Sequence, residues 1–218
     1  MAITVYFVRH GETYFNRFAR LQGWSDTPLT TKGEEDAKKI GQVLAPLTID
    51  YLFSSDLKRA VDTARILIKQ CPHARVSEPT QKKCFREAFY GSFEGHSNEE
   101  GAIWASHYGG KRLRRIGDLV AEFGVMKTRD LLHEADPAHL AESSQQLNAR
   151  VKKAIGFLQG LNDGSTVIVA SHGSIIQYIA SVYGAPGKKF GSLHNGALMK
   201  MRLTPSTATV LAYDQQSL

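Results

Sequence analysis

Cysteine is nearly absent from this chain, with only Cys71 and Cys84 among 218 residues. They form no Cys-x-x-Cys pair and no metal-ligand cluster surrounds them. A disulfide scaffold or structural zinc site is therefore not what organises the fold, and the two thiols are expected to be reduced and structural. Long apolar runs are missing too. No window approaches the ~18 residues of a transmembrane helix, so no membrane partner is expected. The N-terminal stretch MAITVYFV lacks a basic region and a small-residue cleavage site, so it reads as a first strand rather than a secretion signal, and a cytoplasmic location is expected. Internal repeats and low-complexity linkers are absent as well, which favours one domain over residues 1–218. The net charge is +6 and the sequence pI is near 9.3. Without RNA-binding aromatic motifs or zinc-finger spacing, this balance points to an anionic small substrate rather than nucleic acid.

The residues present supply two similar punctuation marks. Ile3 to Val8 is a short β-branched and aromatic run that ends in Arg9-His10-Gly11. Thr166 to Ala170 is the strongest strand pattern in the chain and ends in Ser171-His172-Gly173. Further strands are expected at Asp50–Ser54, Arg75–Ser77, Ala197–Leu203 and Ala208–Ala212. Helices are expected over residues 32–45, opened by a Thr31-x-x-Glu34 capping box, and after Ser55 or Asp56, along Ala60, Ala64, Leu67 and Ile68. Two more are expected after Ser143 or Ser144 and through Ile176 and Ile179. Strands alternating with helices imply an α/β fold: a three-layer α/β/α sandwich with a mostly parallel central sheet. Residues 96–140 are helical and charged but weakly periodic, and read as a small helical cap inserted in that domain.

In open α/β sheets, ligands bind outside the carboxyl ends of the strands. Both His10 and His172 fall there, each followed by a glycine that permits close approach of a ligand. Arg9 offers a planar fork of donors for phosphate or carboxylate. A neutral imidazole beside such an anion site is a candidate nucleophile or base. Arg59, near the start of a helix that follows a strand, is a third candidate anion contact.

Several ordered motifs give the chain a family likeness. Val8-Arg9-His10-Gly11-Glu12-Thr13 is followed by Asn16 and Leu21-Gln22-Gly23-Trp24. Phe53-Ser54-Ser55-Asp56-Leu57-Lys58-Arg59-Ala60, Phe85-Arg86-Glu87-Ala88-Phe89-Tyr90-Gly91 and Val169-Ala170-Ser171-His172-Gly173 complete the set. In this order the chain resembles the histidine phosphatase superfamily, which includes the cofactor-dependent phosphoglycerate mutases. The resemblance implies His10 as the nucleophile of a transient phosphohistidine, with Arg9, Arg59 and His172 holding the phosphoryl oxygens. It makes Glu87 the proton donor and later the base for water, ahead of Glu12 and Glu94 as rival carboxylates. Asn16, Gln22, Gly23, Tyr90 and Gly173 are implied phosphate- or substrate-site contacts. No cofactor or metal is expected.

Within that superfamily the surroundings decide between hydrolysis and transfer. Glu87-x-x-Tyr90-Gly91 resembles the mutase motif. However, a lysine usual soon after it is replaced by Glu94-Gly95-His96-Ser97-Asn98, a proline-rich stretch usual in the insertion is missing, and the chain is shorter than a typical mutase. The expectation is a metal-independent phosphatase acting on small phosphorylated metabolites. A phosphoglycerate mutase is the alternative, and a non-catalytic phospholigand-binding member ranks lower. Trp104, His107, Tyr108 and the basic knot Lys111 to Arg115 are candidate specificity contacts.

Overall fold

The computed structural model describes residues 2–217. In chain order the elements are β1 (Ile3–Arg9), α1 (Tyr14–Arg17), α2 (Thr31–Leu44), β2 (Tyr51–Ser54), α3 (Lys58–Ile68), β3 (Thr80–Gln81), α4 (Asn98–Tyr108), α5 (Ile116–Ala135), α6 (Ser144–Gln159), β4 (Thr166–Ser171), α7 (Gly173–Tyr183), β5 (Leu198–Leu203) and β6 (Ala208–Gln215). The strands form a single sheet in the order β3-β2-β4-β1-β5-β6. β1, β2, β3 and β4 run parallel, while β5 and β6 add an antiparallel edge.

Alternation along the central strands explains the three layers. Ile3, Val5 and Phe7 of β1 and Val167 and Val169 of β4 share one apolar cluster with Val151 and Ile155 of α6 and Ile176 and Ile179 of α7. Tyr6, Val8, Ile168 and Ala170 turn to the other face, against Ile40 and Leu44 of α2 and Ala64 and Leu67 of α3. Side chains on a strand alternate between faces, so a sheet covered on both sides needs a continuous apolar run, and both strands have one. The edge strand β6 alternates between exposed and half-buried positions instead.

Local starts and stops differ from the sequence expectations in three places. Thr30, not Thr31, caps α2, its hydroxyl accepting the Gly33 N–H at 3.1 Å. Neither Ser55 nor Asp56 caps α3 through its side chain. The residue preceding α3 is Leu57, and the Asp26 carboxylate accepts the Lys58 N–H. Ser55 and Asp56 are engaged elsewhere, with His172 and Arg86. Arg75 to Ser77 is not a strand; β2 pairs with Thr80–Gln81.

Helices α4 and α5 pack on each other over a separate apolar cluster. Leu119, Leu131 and Leu132 meet Leu21, Tyr90 and Phe93 there, residues of the loops that leave the sheet. Gly124, at φ 79°, breaks α5 into two segments. Among the described residues no helix is long and apolar enough to cross a membrane.

Candidate active site

Sheet order brings the two histidines together. β1 and β4 are neighbours, with Arg9 opposite Ser171, and the His10 N–H donates to the Ser171 carbonyl at 3.0 Å. The rings of His10 and His172 then lie 5.2 Å apart, centroid to centroid, nearly edge to face. His10 Nδ1 is 2.7 Å from the Gly11 carbonyl, which can only accept, so Nδ1 carries the proton. Nε2 is left with its lone pair, and the Arg59 Nε–H donates to it at 3.2 Å. Burial first, then the Arg59 and Arg9 charges, hold His10 well below the usual imidazole range. The group is a neutral imidazole with a fixed tautomer, the form in which a histidine acts as a nucleophile. Gly11 is pinned in turn by Thr63, whose hydroxyl accepts its N–H at 3.1 Å and donates to the Arg59 carbonyl at 2.7 Å.

Arg59 is fully buried, and every N–H it owns is committed. Besides His10, its guanidinium donates to the carbonyls of Gln22, Gly23 and Ser25 and to the Asp26 carboxylate. It is a peg around which loop 22–26 is wound. From the outer side, the Glu94 carboxylate accepts the N–H groups of Gly23, Trp24, Ser25 and Tyr90. His172 is fully buried too, with Nε2 2.7 Å from the Ser55 hydroxyl and Nδ1 without a partner. Arg59, Gly23 and His172 therefore stand behind the cavity wall rather than in its lining. Arg59 can meet a phosphoryl oxygen only by exchanging one of these bonds.

The cavity has a volume of about 500 Å³, and Arg9, His10, Asn16, Gln22, Glu87, Tyr90 and Gly173 all line it. Arg9 donates to the Leu193 carbonyl through Nη1, while its buried Nε–H has no partner. A Cβ on Gly173 would come within 3.2 Å of the Arg9 guanidinium carbon, so glycine there leaves the fork its place. The Glu87 carboxylate accepts three backbone N–H groups, from Ala88 at 2.8 Å and from Ser174 and Ile175 in the first turn of α7 at 2.9 Å. Tyr90 and Ser174 share a hydroxyl–hydroxyl bond of 2.8 Å.

Of the three carboxylates weighed from sequence, only Glu87 reaches the cavity. Glu12 accepts from Thr30 and Arg17, and the Thr30 hydroxyl is the main reason its carboxyl titrates below the usual range. Glu94 is consumed by loop 22–26. From residues 96–140, Arg114 and Arg115 line the mouth, together with Arg20 and Glu99. Arg114 is paired with Glu99 at 3.1 Å. Trp104, His107 and Tyr108 do not line it: Trp104 packs edge-on against Phe93, and His107 and Tyr108 pack on each other. Lys111 is drawn away to Glu122. Among the described residues no cluster of three or more His, Cys, Asp or Glu could hold a metal ion.

Asn195 was missed from sequence. Its side-chain amide donates to the His10 carbonyl at 3.0 Å and to Asn16 Oδ1 at 3.1 Å, tying the nucleophile's backbone to the phosphate-site loop. Nothing around His194-Asn195-Gly196 signals that role, since it depends on β5 lying beside β1. Ser55 and Thr63 were missed as well, because their bonds to His172 and Gly11 join segments far apart in sequence.

Comparison with known proteins gives a consistent result. The sequence matches the profile of the histidine phosphatase superfamily (branch 1) over residues 5–216. It is 31% identical over 187 residues to a protein named "Probable phosphoglycerate mutase GpmB" from Enterobacter sp. (strain 638), covering 84% of this chain and 76% of that one. A crystal structure of phosphoglycerate mutase from Bacillus anthracis str. Sterne superposes with a TM-score of 0.91 at 28% identity, over 99% of this chain and 94% of that one. The alpha-ribazole phosphatase from Shigella flexneri shares the fold at a TM-score of 0.68 and 23% identity, over 99% and 98% of the two chains.

Proposed function

Because the chain belongs to the histidine phosphatase superfamily (branch 1), we propose that it hydrolyses small phosphorylated metabolites through a phosphohistidine on His10, without a metal. One observation carries this reading. His10 and Glu87 line a single cavity whose mouth, at Arg20, Arg114, Arg115 and Gly117, consists of exposed residues, so water can reach the covalent intermediate. A transferase must keep water from that intermediate while it waits for its acceptor.

In the first step His10 Nε2 attacks phosphorus, the bond from phosphorus to the leaving oxygen breaks, and Glu87 gives that oxygen a proton. In the second, Glu87 takes a proton from water, the hydroxide oxygen bonds to phosphorus, and the bond from phosphorus to Nε2 breaks to release orthophosphate. Splitting the displacement in two is the advantage of a covalent route. The Arg9 guanidinium, which lines the cavity, meets the phosphoryl oxygens. The incoming group also displaces His10 Nε2 as the acceptor of the Arg59 Nε–H, so the bond that holds the free imidazole becomes one that stabilises the transferring charge.

A second reading, phosphoglycerate mutase, is favoured by the arginines at the mouth, which suit a substrate with a second anionic group, and by the names of the relatives above. Turnover of a panel of phosphomonoesters, including 3-phosphoglycerate with and without 2,3-bisphosphoglycerate, separates the two. Orthophosphate release independent of the bisphosphate is expected; isomerisation that requires the bisphosphate would establish the mutase. His10→Ala should reduce turnover by about a thousandfold or more while the protein stays folded. Denaturing quench during turnover should trap an acid-labile, base-stable phosphate on His10. Retained activity in the variant, or label on another residue, would remove the nucleophile assignment.

A further inference from the structure

Glu87 is delivered to the cavity by a segment with almost no regular structure. Residues 84–90 contain only the end of a 3-10 turn, Lys83–Phe85, and join no strand. Their carbonyl groups have no ladder partners, yet buried carbonyls must be satisfied. Backbone N–H groups of Glu142 and Phe93 serve the Phe89 and Tyr90 carbonyls, and side chains do the rest. Arg150, on α6, uses its whole guanidinium for the purpose. Nη1 donates to the carbonyls of Cys84 at 3.1 Å and Arg86 at 2.6 Å, and Nη2 to that of Glu87 at 3.1 Å. Its remaining N–H groups, on Nε and Nη2, clasp the Glu142 carboxylate at 2.8 and 2.6 Å. The Ser171 hydroxyl serves the Phe85 carbonyl, and the Trp24 indole is a second donor to that of Glu87. Arg129 continues the row, donating to the Phe89 carbonyl at 2.9 Å with its guanidinium carbon 4.8 Å from the centre of the Tyr90 ring.

The Arg150–Glu142 pair is mostly shielded, at 16% and 11% side-chain exposure. Its geometry is specific: a lysine would keep the charge but could not span three carbonyls and a carboxylate at once. We propose that Arg150, oriented by Glu142, is a positioning residue for the proton donor. It sets the height of the Glu87 backbone, so that the carboxyl stands against the first N–H groups of α7 and faces the leaving oxygen of the substrate. This rests on the reading of Glu87 as general acid. Arg150 does not line the cavity, and although its charge also reaches His172, a lysine in its place keeps that charge, so Arg150→Lys isolates the effect on the backbone.

The test uses two phosphomonoesters that need the acid unequally. Dinitrophenyl phosphate expels a leaving group that is stable without protonation, whereas an alkyl phosphate does not. Glu87→Gln provides the reference pattern, read in the rapid first release of the leaving group because the dephosphorylation that follows needs Glu87 as base with either ester: a large loss on the alkyl ester and a small one on the aryl ester. Arg150→Lys should reproduce that pattern, lowering the rate of the first leaving-group release from the alkyl ester about a hundredfold, as expected for an ångström-scale displacement of a catalytic group. The substrate concentration that half-saturates this first release should change little, and its rate on the aryl ester should stay within severalfold of the parent. Glu142→Gln should shift the same way by less, and it serves as the second variant if Arg150→Lys does not fold. In a Glu87→Gln background, Arg150→Lys should add almost nothing. Equal losses on both esters, or an additive loss in that background, would overturn the positioning role. A Glu87→Gln enzyme with no leaving-group dependence would overturn the acid assignment itself, and the proposal with it.

Discussion

At the scale of single residues, the two histidines make a prediction that does not depend on the substrate. Burial, followed by Arg59 and Arg9, pushes His10 well below its ordinary value of 6.5. Burial, followed by Arg59 and His10, does the same to His172. Both rings are neutral when folded, while in the unfolded chain they take up protons as the pH falls through about 6.5. The unfolded state therefore binds more protons below that pH. Stability is complete above it and declines as the pH drops further, by about 1.4 kcal/mol per pH unit for each histidine. Urea unfolding between pH 7.5 and pH 5 should show this decline, and His172→Gln should flatten it. A midpoint that ignores pH over this range would contradict the buried, neutral pair. Residue types were also what the sequence disclosed best: Arg9, His10, Glu87 and Gly173 all line one cavity. The sequence could not show where the donors of Arg59 go, because five acceptors in loop 22–26 and on His10 claim them only after folding.

At the scale of elements, α2 shows how a legible pattern can be misplaced by one residue and why that matters. Thr30 and Thr31 are chemically equivalent caps, and tertiary contact decides between them. The start of α2 lies against the backbone of residues 11 and 12. A Cβ on Gly33 would sit 2.1 Å from the Glu12 carbonyl oxygen, and one on Gly11 would sit 2.0 Å from that of Gly33. Helix propensity alone favours Gly33→Ala by about 1 kcal/mol, but overlap with backbone, which cannot rotate away, costs roughly 3 kcal/mol. Gly33→Ala should therefore destabilise by about 2 kcal/mol. It should also slow turnover, because the strained neighbour is the Glu12 backbone, joined through its amide to the Gly11 carbonyl that fixes the His10 tautomer. Gly156→Ala on α6, where nothing lies within 4 Å of the added carbon, should be neutral or stabilising. Equilibrium unfolding of both variants checks the pair, and a stabilised Gly33→Ala would mean the close approach is not why glycine stands there. The missed strand at Thr80–Gln81 has a similar origin. Both residues are exposed and polar, so β-pattern reading had no signal, and only pairing with Phe53 and Ser54 makes them a strand.

At the scale of the whole molecule, the layers were legible and the region over the site was not. The central strands bury both faces and announce themselves. Residues 96–140 do not, because their apolar cluster is small and borrows Leu21, Tyr90 and Phe93 from the loops below, leaving no complete periodic face in the sequence of α4 or α5. What that region brings to the site is charge: Arg114 and Arg115 at the mouth beside Arg20, opposed by Glu99 alone among the carboxylates there. With a net charge of +6, the molecule can attract a phosphomonoester dianion either through its overall charge or through these arginines, and salt distinguishes the two. The screening length shrinks from ~30 Å at 0.01 M to ~3 Å at 1 M, so kcat/KM for a dianionic substrate should fall over that range by up to about tenfold. Arg20→Gln combined with Arg115→Gln should lower kcat/KM at low salt and flatten its salt dependence, leaving kcat on a good aryl leaving group nearly unchanged. Arg114 is the weaker choice for this test because Glu99 already compensates it. If the double variant keeps the parent's full salt slope, attraction comes from the molecule's overall charge. The arginines would then be contacts for a bound substrate rather than its guides, and their removal would appear as a rise in KM at every salt concentration.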